Sequence, residues 1–258
     1  MQQVRVAYFF AAGISLVIGG PDPLALQPIS LEPSAAVEQL PADPQIDCAT
    51  AVPSTLDVSP VRSPQAVHSF LANRFVGKRI VEIGTRNGDG MACLARNAKE
   101  AVAVEMDEPY CDKLRTRSQE MQREGAGGFR VVCSDYRAVT TLPDADVFTW
   151  WEQEPHLLDA DVLNFLRSRA AAGRISRGAQ AVLLFDPSWR GDAASWEAQR
   201  AGALWHAEVQ YDETADCVAR APWGSTSEER YKGKGGYTCR RAKGSFIVAG
   251  FALHPDDL

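Results

Sequence analysis

Short, continuous apolar runs alternate along the middle of the chain with longer stretches whose apolar residues return every three or four positions. The runs at Ile80–Ile83, Ala101–Glu105, Phe129–Cys133, Asp146–Trp150 and Ala181–Phe185 have the length and density of strands covered on both faces, as parallel strands are. The stretches between them read as helices. Ser63-Pro64 opens one, with Val67, Leu71 and Phe75 at i, i+4 and i+8, and His68 falls one position off that stripe, which places it toward solvent. Met91, Leu94 and Ala95 give the next helix its core face. Pro109–Glu124 carries Tyr110, Leu114 and Met121 on one side, and Asp159–Ala170 carries Val162, Phe165 and Leu166. A helix through Trp196 follows the fifth strand. Trp205, Ala207, Val209 and Tyr211 then alternate with His206, Glu208 and Gln210, a strand with one covered face, and Ser245–Leu253 is the last strand. Strands and helices in alternation predict an α/β fold, a doubly wound and mostly parallel sheet with helices on both faces.

The two ends break the pattern. Residues 1–20 hold one charge, Arg5, followed by an apolar run from Val6 to Ile18, which reads as a signal peptide or signal anchor, with an organelle-targeting presequence as the alternative. The expectation is entry to the secretory pathway or membrane attachment through residues 6–18. Residues 21–62 contain eight of the fifteen prolines, no lysine and a single arginine, so they read as a disordered linker that cannot bury enough surface to order itself. The folded domain is therefore expected over residues 63–258.

Chemistry concentrates where the first strand ends. In Arg79–Gly90, RIVEIGTRNGDG, Gly84 permits a sharp turn out of the strand, and Gly88 and Gly90 let a helix start close to it. Glu82, two residues before Gly84, would repel a pyrophosphate and suits a ligand with a cationic amino acid group. Glu105 closes the second strand 21 positions after Gly84, where a carboxylate accepts the hydroxyls of a ribose.

Glu82-Ile83-Gly84-Thr85-Arg86-Asn87-Gly88-Asp89-Gly90 resembles motif I of the class I S-adenosylmethionine-dependent methyltransferases, with Arg86 in place of the middle glycine. The resemblance covers about residues 64–253 and implies a seven-stranded sheet of order 3-2-1-4-5-7-6 with the last strand antiparallel. It implies S-adenosylmethionine as cofactor, with Glu82, Gly84, Thr85, Asn87 and Gly88 in the turn, Glu105 on the ribose and Met106 against the adenine. Asp135 would read the adenine amino group, Tyr136 would stack, and Trp150 would wall the site. The loop after the fourth strand, Trp151-Glu152-Gln153-Glu154-Pro155-His156, would face the methyl donor. Trp151 and Glu154, with Asp186 after the fifth strand, are the expected substrate contacts, and His156 or Glu152 would take a proton if the acceptor, an unidentified O, N or C nucleophile, must lose one. No metal is expected, because the metal-binding Asp of the catechol-type branch has no counterpart here.

The net charge of −6 argues against general nucleic-acid binding. Six basic residues between Arg230 and Lys243 interrupt that balance, in a polar excursion over Asp212–Gly244 that reads as a solvated hairpin extension, with a cover for an anionic substrate or partner as the alternative. Six cysteines are too few for a disulfide scaffold, so Cys93, Cys111 and Cys133 read as buried thiols, while Cys217 and Cys239 would bridge the excursion in an oxidising compartment. Two rival functions stay open. One is a non-catalytic binding or scaffold protein that keeps the fold, suggested by Arg86 in the cofactor turn. The other is an NAD(P)-dependent oxidoreductase, which the glycine spacing allows and the lack of any Tyr-x-x-x-Lys pair disfavours.

Overall fold

A computed structural model of the 258-residue chain describes residues 46–52, 64–139, 142–150, 158–188, 190–214, 232–233, 236–237 and 241–257, all within one unit spanning residues 38–258. Five parallel strands, β1 (Arg79–Ile83), β2 (Glu100–Glu105), β3 (Arg130–Cys133), β4 (Val147–Trp150) and β5 (Gln180–Phe185), are joined by β6 (Ala203–Thr214) and β7 (Arg241–Ala252) in the order β3-β2-β1-β4-β5-β7-β6. β7 runs antiparallel to both β5 and β6. This is the expected topology. The order reverses between β1 and β4, and in open α/β sheets the crevice beside such a reversal, at the carboxyl ends of the strands, is where ligands bind.

Two apolar clusters sandwich the sheet. Ile80, Ala101, Ala103, Val182 and Val248 pack with the helices α2 (Gln65–Arg74), α3 (Asp89–Leu94) and α4 (Glu108–Arg123) on one face. Val81, Ile83, Val102, Val104 and Phe148 pack with α5 (Leu158–Ala171) and α6 (Arg190–Gln199) on the other. Alternation along β1 thus sends Ile80 and Glu82 to the α2 and α3 side, and Val81 and Ile83 to the α5 side. The predicted elements match within a few residues. α2 begins one residue later than expected, with Pro64 in extended backbone at its N-cap and no side-chain cap.

The linker expectation is corrected over residues 46–52. Residues 46–52 pack onto the domain through α1 (Cys48–Ala51), capped by Asp47, whose carboxylate accepts the Ala49 N–H at 3.0 Å. Ile46 and Asn73 exchange hydrogen bonds at 2.7 and 2.8 Å, the Cys48 N–H donates to Ser69 Oγ at 2.9 Å, and Cys48 and Val52 are buried. Composition counted prolines and could not register a four-residue helix held by α2. The buried-thiol reading is also corrected: Cys48 is bonded to Cys93 and Cys111 to Cys133. Cys217 and Cys239, the apolar run Val6–Ile18 and most of the basic excursion lie outside the described residues. Among the described residues no helix is long and apolar enough to cross a membrane.

At the end of the sheet away from the crevice, Arg79 ties β1 to the segment entering β4. Its guanidinium meets Asp146 at 2.7 Å and Asp144 at 2.9 Å, and Asp144 also accepts the N–H and hydroxyl of Ser176. These groups are part exposed, and exposed pairs contribute about 0–1 kcal/mol each. Arg79→Ala is therefore expected to cost about 1 kcal/mol in urea unfolding and to leave ligand binding unchanged.

Candidate functional site

The turn leaving β1 is built from backbone that ordinary side chains avoid. Gly84, Arg86 and Gly88 all have φ between 54° and 81°. Two are glycines, to which this region is open, but Arg86 is not, and a non-glycine residue there costs about 1–2 kcal/mol. The turn is fastened by Gly84 N–H to Val104 O (2.9 Å), Thr85 Oγ1 to Glu82 O (3.1 Å) and Gly88 N–H to Thr85 O (3.0 Å).

Glu105 joins three chain segments. Its Oε2 accepts the Arg86 N–H at 2.8 Å, and its Oε1 accepts the N–H groups of Met106 and Asp107 at 2.8 and 3.0 Å. Its carbonyl accepts the Ser134 N–H at 2.8 Å, where the chain leaves β3. The glycine turn, the end of β2 and the end of β3 thus meet at one residue, itself only 6% exposed. The Arg86 guanidinium turns onto α4, 3.4 Å from the Tyr110 hydroxyl and 5.7 Å from that ring's centre.

The other expected cofactor residues divide. Met106 stands 72% exposed beside Glu105, and Gly84, Asp135 and Trp150 are half-buried around the same strand ends. Glu82 is buried, at 2% exposed. Strand alternation carries its carboxylate beneath the turn, where Glu82 Oε1 and His68 Nε2 each come within 3.0 Å of the place a Cβ on Gly90 would occupy. Thr85, Asn87 and Gly88 are buried as well. Asp135 accepts the backbone N–H of Arg137 at 2.9 Å and pairs with its guanidinium at 3.1 Å, and this pairing holds its pKa below the ordinary value. Tyr136 is not a free stacking face. It is buried, with Trp150 and Phe165 meeting it edge-on at 5.7 and 5.1 Å, because the α5 side of the sheet needs an apolar ring there. Asp186 is committed to its own loop, accepting the N–H and hydroxyl of Ser188 at 2.8 and 2.6 Å. Trp151, Glu152, Glu154 and His156 lie outside the described residues.

Pattern reading missed the polar layer under the turn. His68, expected at the surface, is 1% exposed, and its Nδ1 lies 3.1 Å from Gln65 Oε1. Asp89, wholly buried in the first turn of α3, pairs with Arg117 of α4 at 2.7 Å, and Arg117 also reaches Asn87 O at 2.9 Å. Burial drives the His68 pKa down to about 4, with Asp89 pulling upward and Arg117 pushing down. An imidazole that folding makes less basic is protonated first in the unfolded chain. Its contribution is therefore whole above pH 6.5 and is lost as pH falls toward 4, about 3 kcal/mol in all. Urea unfolding across that window is expected to show the loss, and His68→Gln is expected to flatten it. Asp135 and Asp146, whose pKa values are lowered, give up their share only at more acid pH, so the two effects separate. Gly90→Ala drives a methyl group against Glu82 and His68 and is expected to destabilise by about 1–3 kcal/mol in the same assay.

Among the described residues one metal-capable trio stands close together, Glu108, Cys111 and Cys133. Its two sulfurs are joined to each other, which removes them as thiolate ligands.

No family model and no curated protein matches the chain. Among solved structures it is similar to the C-terminal domain of precorrin-6Y C5,15-methyltransferase from Rhodobacter capsulatus, at 10% identity over 74% of this chain and 90% of that one, TM-score 0.47. It is also similar to an rRNA methylase from Streptococcus thermophilus, at 15% identity over 73% and 95% of the two chains, TM-score 0.42. The sheet has the strand order and reversed last strand of the class I S-adenosylmethionine-dependent methyltransferase fold, with a glycine turn beside the acid that closes β2.

Proposed function

We propose that the domain binds S-adenosylmethionine at the carboxyl ends of β1, β2 and β3 and transfers its methyl group to an O, N or C nucleophile. The observation that carries this reading is Glu105, where the glycine turn and the ends of β2 and β3 meet on one residue. A carboxylate oxygen can accept more than one donor, so ribose hydroxyls can join or replace the backbone N–H groups now bound. Gly84 allows close approach to the backbone, Met106 offers an apolar face for the adenine, and the turn of Arg86 onto Tyr110 takes its guanidinium toward α4. Bound there, the cofactor would supply an electrophilic methyl group. The chain's part is to orient and to exclude water. Trp150 and the loop after it would cover the acceptor through Trp151 and Glu154, with His156 or Glu152 holding the departing proton.

The two disulfides support the reading that the chain works in an oxidising compartment, in line with a secretory leader or membrane anchor at residues 6–18. The cofactor reading is tested by calorimetric titration of the oxidised full chain with S-adenosylhomocysteine. One-to-one binding is expected, and no heat with folded protein overturns it. Binding without turnover of any acceptor would favour the non-catalytic module that Arg86 in the cofactor turn suggests.

A further inference from the structure

The Cys111–Cys133 disulfide lies against Glu105. Cys111, wholly buried in the first turn of α4, has its Sγ 3.4 Å from the Glu105 carbonyl oxygen, and Cys133, the last residue of β3, sits opposite Glu105 in the strand register. One bond thus spans from the helix that follows Met106 and Asp107 to the strand end that leads into Ser134 and Asp135. On the proposed reading these are the two walls of the adenosine side of the site. Met106 itself has little packing to fix it. The cross-link keeps the two walls from separating, so less order remains to be imposed when a ligand enters.

We propose that the Cys111–Cys133 disulfide is the positioning element of the adenosine side of the site, so that cofactor affinity follows the thiol–disulfide state of this pair. The inference rests on the cofactor reading above. Reduction takes one dithiol: its thiolate attacks the half-buried Cys133 sulfur and expels Cys111 as a thiolate, and the dithiol's second sulfur then releases Cys133. Two electrons and two protons pass to the protein, and the reductant leaves as a disulfide. Glu108 Oε2, 2.9 Å from Cys133 Sγ, places a carboxylate beside the sulfur that the thiolate attacks, and its repulsion slows that first step.

The test uses the full chain and S-adenosylhomocysteine in a calorimeter. The double variant C111A/C133A is expected to bind at least tenfold more weakly than the oxidised wild type. C48A/C93A, which removes the other disulfide, is expected to stay within twofold at a temperature where circular dichroism shows it folded. Affinity of C111A/C133A within twofold of wild type overturns the proposal while leaving the cofactor reading intact, whereas an oxidised wild type that binds nothing overturns both. Should C111A/C133A not fold, dithiothreitol reduction of C48A/C93A, in which Cys111–Cys133 is the one disulfide left among the described residues, gives the readout. Binding is expected to fall as Cys111 and Cys133 become open to thiol labelling, faster in E108Q, and binding that persists once both are labelled overturns the proposal.

Discussion

Removing the Cys48–Cys93 disulfide is expected to lower the thermal midpoint of the oxidised domain by about 10 °C. The bond joins residues 45 apart, and cross-linking so long a loop withholds from the unfolded chain an entropy equivalent to about 4 kcal/mol. For a domain of this size each kcal/mol moves the midpoint by about 2–4 °C. The enclosed segment holds α2, β1, the glycine turn and most of α3, so the bond acts on the stability of the domain. Cys48 and Cys93 are fully buried, and alanine at both positions avoids placing a hydroxyl in that apolar cluster. Differential scanning calorimetry of C48A/C93A measures the effect. A midpoint within 2 °C of wild type would mean that α1 contributes no constraint to the domain.

Replacing Glu105 by alanine is expected to produce the largest functional loss, about 100-fold or more in S-adenosylhomocysteine affinity. Three backbone N–H groups lose a charged acceptor, and hydrogen bonds to charged groups contribute about 1.5–3 kcal/mol each. Part of that is recovered from water at the crevice mouth, leaving an expected stability loss of about 2–4 kcal/mol. The binding loss has two sources: the ribose acceptor itself, and the left-handed Arg86 turn, which Glu105 holds through the Arg86 N–H. Glu105→Gln keeps one carbonyl oxygen, so it should fall between wild type and alanine in both assays. Denaturant unfolding beside calorimetric titration separates stability from affinity. An alanine variant as stable as wild type, with unchanged affinity, would remove Glu105 from the site.

The architecture was legible because its signals are local. Apolar runs marked the parallel strands, Gly84 marked the exit from β1, and the alternation from Trp205 to Tyr211 marked β6 as a strand with one covered face. Side-chain roles were less legible wherever a second element decided them. His68 lies one residue off the stripe of Val67, Leu71 and Phe75, yet α2 packs against α1, α3 and β6, so more than one of its faces is covered. Glu82 has the spacing of a cofactor ligand, while strand alternation turns it under the turn toward His68 and Gly90. Asp135 meets Arg137 two residues on, a pairing that local sequence permits but does not announce. The cysteines hide their partners for another reason: Cys48 lies in a proline-rich stretch and its partner 45 residues away, a pairing no spacing encodes.

The central claim, that Glu105 and the strand ends around it form an adenosine site, is tested most directly by a crystal structure of the oxidised chain grown with S-adenosylhomocysteine. The ribose hydroxyls should lie on the Glu105 carboxylate, with the adenine between Met106 and the Ser134-Asp135 segment. Density for the ligand elsewhere on the domain, or an Arg86 guanidinium filling that space in its stead, would contradict the account.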